Sequence, residues 1–496
     1  MRRTILIIFV ILLAALLIVQ AAFSLQWPIA HDEAPLFYEA FLMQSEDRIP
    51  YRDIFDFQMP GSFAAYSVLG FLSGFSALRI RILDLVLLTA LLTITFFSMR
   101  RFGKITAITA GILFGLKYLQ GGPSMSLQRE YLLLLFIALA VYITMRDDLT
   151  LKHRLAIGFF FGLAATLKPH AAIGLIPILL FDMSDMVKRF KLTLLDAAKA
   201  SILPTVAGFL IPILIMIVWL AVTGALTPFI NIAINYWPLY SQIDGQMAMN
   251  TGLGRIPFLL NQFFRLGGNA LWIIPALIGI YLNQSKRVYL LASLVLCYAI
   301  YPALSGQFFE YHYVPFLYFI ILLASLSLST VDLRPLTFIS SFTLLVVILL
   351  TIRPSTAFLR QLEGKPIFIA ASRADEISHF LEKNLEEGDT VQPLDWTGGT
   401  LLAMLETRAH IATPYIFDFY FYHHISTPYI QSLRADFIND LKLANPNFII
   451  EVTAIDKPWV SGINTSREFP ELRVFLTENY SVTIQKDDYV IYELQQ

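Results

Sequence analysis

Hydrophobic runs near the length of a membrane span recur along this chain, starting with "TILIIFVILLAALLIVQAAF" at Thr4. Wound as a helix, about twenty apolar residues match the hydrocarbon core of a bilayer. Backbone polar groups in lipid must find partners within the segment, so such runs have little choice but to be helical. A soluble domain instead needs a polar surface, with about a quarter of its residues charged. Here 15% are charged, 56% are hydrophobic and mean hydropathy is +0.64. The 496 residues therefore read as a polytopic α-helical membrane protein. Net charge is −1, which gives no electrostatic case for nucleic-acid binding. The single cysteine, Cys297, lies inside an apolar run, so an intramolecular disulfide and a cysteine zinc site are both excluded.

Hydropathy predicts eleven spans, near residues 4–24, 80–99, 105–122, 128–145, 155–168, 170–182, 200–221, 268–283, 288–304, 312–329 and 336–352. The two around Lys168 are short and suit a broken or hairpin pair. The first run is longer than a signal-peptide core and reads as a retained span. Lysine and arginine favour the cytoplasmic side of short loops. With the N-terminus inside, fifteen basic residues fall on the inner face and nine on the outer. An odd number of spans then leaves the C-terminus outside. From about residue 353 the composition becomes that of a soluble domain. "SRADEISHFLEKNL" and "IQSLRADFINDLKLANP" have helical periodicity. "TVQPLDW", "NFIIEV" and "YSVTIQKDDYVIYEL" read as strands, the last a hairpin turning at Lys486-Asp487-Asp488. The expected organisation is a transmembrane domain over 1–352, with a first outer loop at 25–79, and a periplasmic α/β domain over 353–496.

Ionisable residues gather at the outer ends of the spans. Asp32 and Glu33 follow the first; Arg79, Arg81 and Asp84 enter the second; Arg129 and Glu130 open the fourth. Lys168 and His170 interrupt "GLAATLKPHAAIGLIP", and Glu310, His312 and Tyr313 lie in "EYHYVPFLYFIILLAS". Any one of them is explained by snorkelling to the interface. At membrane depth such groups also mark interior cavities, and Pro169 would break a helix beside Lys168. Carboxylates and several cations at one cavity suit sugar transfer from a polyprenyl-phosphate carrier. The departing phosphate needs cations, and the attacking hydroxyl needs a base. Asp32 and Glu33 fit the base; Arg81, Arg129, Lys168, His170 and His312 fit the phosphate side. The expectation is that these groups meet around one lipid-accessible pocket.

The first outer loop carries the family signal. "HDEAPLFYEAFLMQSEDRIPYRDIFDFQMPG", from His31, holds seven carboxylates against only Arg48 and Arg52 as basic residues. Asp32-Glu33 after span one, then Pro50-Tyr51-Arg52-Asp53, Phe55-Asp56, Pro60-Gly61 and Arg81 to Asp84 resemble the first loop of GT-C membrane glycosyltransferases. The pattern is similar to the bacterial glycosyltransferase family 39 type, which includes protein O-mannosyltransferase and aminoarabinose-transferase relatives. The segments around Lys168 and His312 resemble the same family. The resemblance implies a GT-C fold of about eleven spans and an inverting transfer from a polyprenyl-phosphate sugar to an extracytoplasmic lipid, glycan or protein. It implies an inner-membrane location and a juxtamembrane helix over residues 60–75. By the same resemblance Asp32 is the first-choice base and Glu33 the second. Tyr51, Arg52, Asp53 and Asp56 sit on the acceptor side or support the base. Arg81, Arg129, Lys168, His170, His312 and Tyr313 bind the donor phosphate. Gln58 stands where many relatives have lysine, so no phosphate contact is carried over there. The resemblance leaves a divalent cation open, with Asp32, Glu33 and Asp56 as its ligands; no cofactor is otherwise implied.

Two other classes fit parts of the chain. Interrupted spans with charged residues also mark transporters or flippases of lipid-linked or anionic substrates. No inverted repeat is visible, however, and the charges collect at the outer face. A non-enzymatic sensor built around the soluble domain leaves the acidic first loop unexplained. In "INYWPLYSQIDGQMAMN", Tyr236, Trp237 and Tyr240 suit either sugar stacking or interfacial anchoring.

Overall fold

The computed structural model describes residues 2–243, 252–328, 342, 345–349, 352, 355–365, 367, 369–454, 457 and 464–495. The expected span at 336–352 lies mostly outside these residues, as does the second half of the 234–250 loop. The chain divides into two compact units. One comprises Met1–Gln26, Arg81–Met216 and Arg255–Leu362; the other comprises Trp27–Ile80, Ile217–Gly254 and Glu363–Gln496.

The first unit is helical and multi-spanning. At its centre is the helix Val314–Leu326, buried at every residue. "VPFLYFIILLASL" is apolar on all sides, which suits a helix with neighbours all round it. Helices Lys104–Gln120, Arg129–Thr144, Ile273–Leu282 and Lys286–Ser305 pack against it. One polar tie crosses this core, the Tyr318 and Thr95 hydroxyls 2.8 Å apart. Pairing removes the penalty of burying either hydroxyl alone. Among the described residues five helices are long and apolar enough to cross a membrane, or six if the pair Gly252–Gly268 and Ala270–Leu282, bent by 76°, counts as one span. The helices Lys104–Gln120, Arg129–Thr144 and Leu151–Leu167 have 17, 16 and 17 residues. At ~1.5 Å rise per residue they fall a little short of a full bilayer core.

The interruption expected at "LKPH" is present. Proline has no N–H and disfavours helical backbone in the residue before it. Lys168 is accordingly extended (φ −148°, ψ 110°) and ends the helix Leu151–Leu167. A 3₁₀ turn, Pro169–Gly174, then leads into the helix Leu175–Phe190.

Helices Leu151–Leu167 and Leu194–Val222 meet backbone to backbone. A Cβ on Gly158 would stand 1.9 Å from the Thr205 carbonyl oxygen, and one on Gly208 would stand 2.0 Å from that of Leu155. Gly162, four residues after Gly158 in "GFFFG", meets the Phe209 carbonyl in the same way. Small residues at this spacing let helices approach closely in a medium that offers no hydrophobic drive between them.

The second unit carries the sheet. The helices Glu33–Ser45 and Pro60–Ser73 pack on each other, and the former also packs on the helix Thr400–Thr407. Pro60 starts its helix where a missing N–H is harmless, and Gly74 stops it at φ 56°. This is the helix expected over 60–75. Strands β1 (Thr390–Leu394), β2 (His410–Ile411), β3 (Phe448–Val452), β4 (Tyr480–Gln485) and β5 (Tyr489–Leu494) form one sheet in the order β2-β1-β3-β5-β4. β1 runs parallel to β2 and β3, while β5 is antiparallel to β3 and β4. β3 is buried throughout, as a central strand covered on both faces should be. The strands and hairpin read from "TVQPLDW", "NFIIEV" and "YSVTIQKDDYVIYEL" are all present.

Gly158→Ala should lower stability by about 1–3 kcal/mol, because the helix pair has no room for a methyl group. Gly111→Ala, whose Cβ would meet Leu92 at an ordinary 3.8 Å, should be neutral or mildly stabilising. Thermal unfolding of the two variants in detergent checks the contrast.

Candidate functional site

In the first unit the centre of the polar residues is Glu130. It opens the helix Arg129–Thr144 and is fully buried. Lys168 Nζ stands 3.4 Å from Glu130 Oε1, and His312 Nε2 stands 3.3 Å from the same oxygen. The Tyr301 hydroxyl approaches it at 3.5 Å. Lys168 and His312 are each delivered by a local break in helical structure. Lys168 sits at the Pro169 interruption, and His312 in the 3₁₀ turn Glu310–Tyr313. His312 Nδ1 lies 2.8 Å from the Gln307 carbonyl, which only accepts, so that nitrogen carries a proton. His170 packs against the Tyr301 ring at 4.3 Å. Arg129 is buried and within electrostatic reach of Glu130. Arg129 and Lys168, two cations against the one carboxylate, give these three side chains one net positive charge.

Arg81 belongs to an adjacent buried network. Its Nη1 donates to Ser126 Oγ at 2.7 Å, and Ser126 donates to Asp84 Oδ2 at 2.7 Å. The Tyr118 hydroxyl donates to Asp84 Oδ1 at 2.6 Å and accepts from the Leu127 N–H at 3.1 Å. Tyr131, next to Glu130, stacks on Tyr118 with centroids 4.1 Å apart. The network fixes the turn before Arg129, where Leu127 takes a left-handed φ of 49°. Tyr313 packs over Gly267, where a Cβ would come within 2.6 Å of its ring.

In the second unit Asp32 precedes the helix Glu33–Ser45 without capping it through its side chain. Its Oδ1 lies 2.9 Å from His31 Nδ1, and its side chain keeps 14% exposure. Glu33 is buried, and its Oε2 accepts the Ala30 N–H at 3.2 Å. His31 holds φ 52°, a left-handed conformation that costs a non-glycine residue energy and often accompanies functional sites. Asp53 is clamped by both Arg52 nitrogens, at 2.9 and 2.7 Å, and accepts the Ile49 N–H at 2.9 Å. The Arg52 guanidinium holds its carboxyl below the usual carboxylate range. Arg52 also donates to the Thr223 carbonyl at 3.1 Å. The Tyr51 hydroxyl donates to the Gln58 carbonyl at 2.5 Å. Asp56 is fully buried and accepts the Phe57 N–H at 2.5 Å and the Tyr420 hydroxyl at 3.4 Å. Tyr236 is also fully buried, with its hydroxyl 3.0 Å from His423 Nε2. It therefore neither presents a ring to a sugar nor anchors at an interface.

Among the described residues no three or more His, Cys, Asp or Glu side chains gather as a metal site. Asp32, Glu33 and Asp56 are thus not gathered as one such group.

The structure brings Lys168, His170, His312 and Arg129 together, and it adds two residues. Glu130 stood among the polar residues at the span ends but had no assigned role, and Tyr301 was missed. The available signal for Glu130 was a carboxylate beside an arginine at the start of an apolar run. Tyr301, within an apolar span, gave no signal.

No protein-family model matches this chain, and no curated protein matches it in sequence. Solved structures do. ArnT from Cupriavidus metallidurans bound to undecaprenyl phosphate superposes with a TM-score of 0.63 at 11% sequence identity, covering 98% of this chain and 97% of that one. The same protein in the apo state gives 0.58 at 11% identity, with the same coverage. The archaeal oligosaccharyltransferase AglB from Archaeoglobus fulgidus, in complex with an inhibitory peptide and a dolichol-phosphate, is more distant. Its TM-score is 0.48 at 11% identity, over 89% of this chain and 69% of that one. The fold of the chain is that of the GT-C membrane glycosyltransferases. Within that class it is similar, end to end, to the ArnT structure.

Burial pushes His423 down to about 3, with the neighbouring His424 adding to the shift. The folded state therefore binds fewer protons than the unfolded one between this value and ~6.5. Stability from this group is complete above ~6.5 and is lost as pH falls toward ~3. His423→Gln should flatten that acid limb, and thermal melts from neutral to acid pH measure it.

Proposed function

We propose that the chain is an inverting glycosyltransferase that uses a polyprenyl-phosphate sugar as donor. The observation that carries this is the net-cationic group that Arg129, half-buried Lys168 and His312 form around buried Glu130, in a fold of this class. A sugar phosphodiester carries one negative charge, which that group balances. The ArnT structure bound to undecaprenyl phosphate supports a lipid-phosphate ligand for the same fold. In the reaction an acceptor hydroxyl attacks the anomeric carbon as the bond from that carbon to the phosphate oxygen breaks. Electrons of the broken bond pass to the phosphate, and the hydroxyl proton passes to a carboxylate. Asp32 is the base, because its side chain stays partly accessible and His31 orients it. Glu33 ties down the loop before it. Glu130 holds Lys168 in place, so the phosphate meets a fixed cation and little reorganisation is needed during the reaction. No step is routed through a metal ion.

The acceptor is an extracytoplasmic lipid, glycan or protein. Eleven spans with a cytoplasmic N-terminus, and a periplasmic α/β region over 353–496, complete the proposal. The inner membrane is its location.

Purified protein in lipid should release or transfer sugar from a polyprenyl-phosphate sugar. Asp32→Asn should lower kcat by about 10²–10⁴-fold with donor affinity little changed. Lys168→Met should weaken donor binding as well as turnover. Undiminished transfer by Asp32→Asn removes Asp32 as the base. A wild-type protein that binds such donors and never turns them over is better read as a transporter.

A further inference from the structure

The first unit has a second polar feature, lined by none of the residues of the Glu130 group. Helices Leu175–Phe190 and Lys286–Ser305 enclose a cavity of about 640 Å³. One end is basic, with Lys188, Arg189 and Lys286. The rest is walled by apolar side chains, among them Ile176, Leu180, Leu290 and Leu296, and reaches Cys297. From Lys286 to Cys297 a helix rises ~17 Å, which is about half of the ~30 Å hydrocarbon core. The cavity thus has the length of one leaflet, with its cations at one end.

The charges at that end are only partly neutralised. Asp185 pairs with Arg189 at 2.9 Å and with Lys286 at short range. Asp148 meets Arg189 at 3.1 Å. Three cations against two carboxylates leave one net positive charge. Lys188 is exposed and makes no ion pair among the described residues. Lys286 also lies over the Phe181 ring at 5.7 Å, which draws its ammonium toward the mouth of the cavity.

We infer that this cavity binds an anionic phospholipid of the cytoplasmic leaflet. The phosphate would lie against Lys188 and Lys286, and one acyl chain would run along Leu180, Leu290 and Leu296 toward Cys297. Charge complementarity selects the occupant, since a zwitterionic lipid offers a cation to the same rim. Basic pockets between spans on the cytoplasmic side hold anionic headgroups for this reason. The cavity depends neither on the proposed reaction nor on the Glu130 group.

Cys297 is the only cysteine in the chain, so the native protein carries its own reporter. Full-length protein in phosphatidylcholine nanodiscs is labelled with a membrane-permeant maleimide, with and without phosphatidylglycerol. Phosphatidylglycerol should slow modification, and native mass spectrometry of delipidated protein should show it retained in preference to phosphatidylcholine. Lys188→Ala, which breaks no ion pair among the described residues, should weaken that preference about fivefold. Adding Lys286→Ala should weaken it about fivefold again. Equal protection by the two lipids, or variants that keep the full preference, would overturn the inference. So would protection by inorganic phosphate alone, which marks a free-anion site.

Discussion

A carboxylate with no access to water, at the end of a helix inside a membrane protein, sets the terms for the polar core of the first unit. Glu130 cannot stay charged there without close cations, because desolvating an unpaired carboxylate costs more than any nearby packing returns. Arg129 and Lys168 meet that requirement, Lys168 at 3.4 Å, and the His312 ring stands 3.3 Å from the same oxygen. Lys168 and His312 both come from places where the helix is broken. A lysine in an unbroken helix would point along a fixed direction and bury its own backbone partners. At the Pro169 interruption the backbone of Lys168 is extended instead, and its side chain can reach inward. The proline, the 3₁₀ turns and the carboxylate are therefore one arrangement.

The same logic governs the second unit at smaller scale. Asp53 is clamped by Arg52 and the Ile49 N–H, and Asp56 Oδ1 accepts from a backbone N–H and a tyrosine hydroxyl. Other buried acids there meet cations: Glu451 pairs with Arg473, and Asp418 with Lys457 at 2.5 Å, whose ammonium also donates to the Leu394 and Val452 carbonyls. Left-handed backbone at His31, Tyr51 and Leu127 adjoins Asp32, the Arg52–Asp53 clamp and the Arg129–Glu130 pair. Such strain persists only where surrounding contacts over-determine the conformation. At Leu127 those contacts are the Tyr118 hydroxyl and the Asp84 network.

Much of this was legible in the sequence because it is periodic. Apolar runs gave the helices, the proline after Lys168 gave the break, alternation gave β1 and the hairpin, and a short apolar run gave β3. The two-residue strand β2 was not legible, since His410–Ile411 is too short to alternate. Which helices meet was also hidden. A span apolar on every face does not announce its neighbours, so Tyr301 beside Glu130 and the Gly158–Thr205 approach left no local mark. Glu130 is the instructive case: its type and position were visible, yet its importance lies in three partners supplied by other segments. Tyr236 shows the converse, an aromatic residue whose local context suggested a surface role and whose burial comes from His423 and a cluster of rings.

On the proposed reaction, the charge at the phosphate grows as the sugar leaves. A phosphodiester carries one negative charge, while the monoester released carries between one and two near neutral pH. Cations held rigidly at the phosphate are therefore favoured more by the transition state than by the bound donor, which is the condition for raising kcat rather than affinity. A flexible surface lysine would follow the substrate and stabilise both states alike. Lys168, tethered by Glu130 and set at a backbone break, has little freedom to do so. Glu130 in this account lowers the net charge of the group and in return fixes where that charge stands. Replacing it by glutamine should then leave phosphate affinity intact or higher while lowering turnover, a split between KM and kcat that loss of folding would not produce.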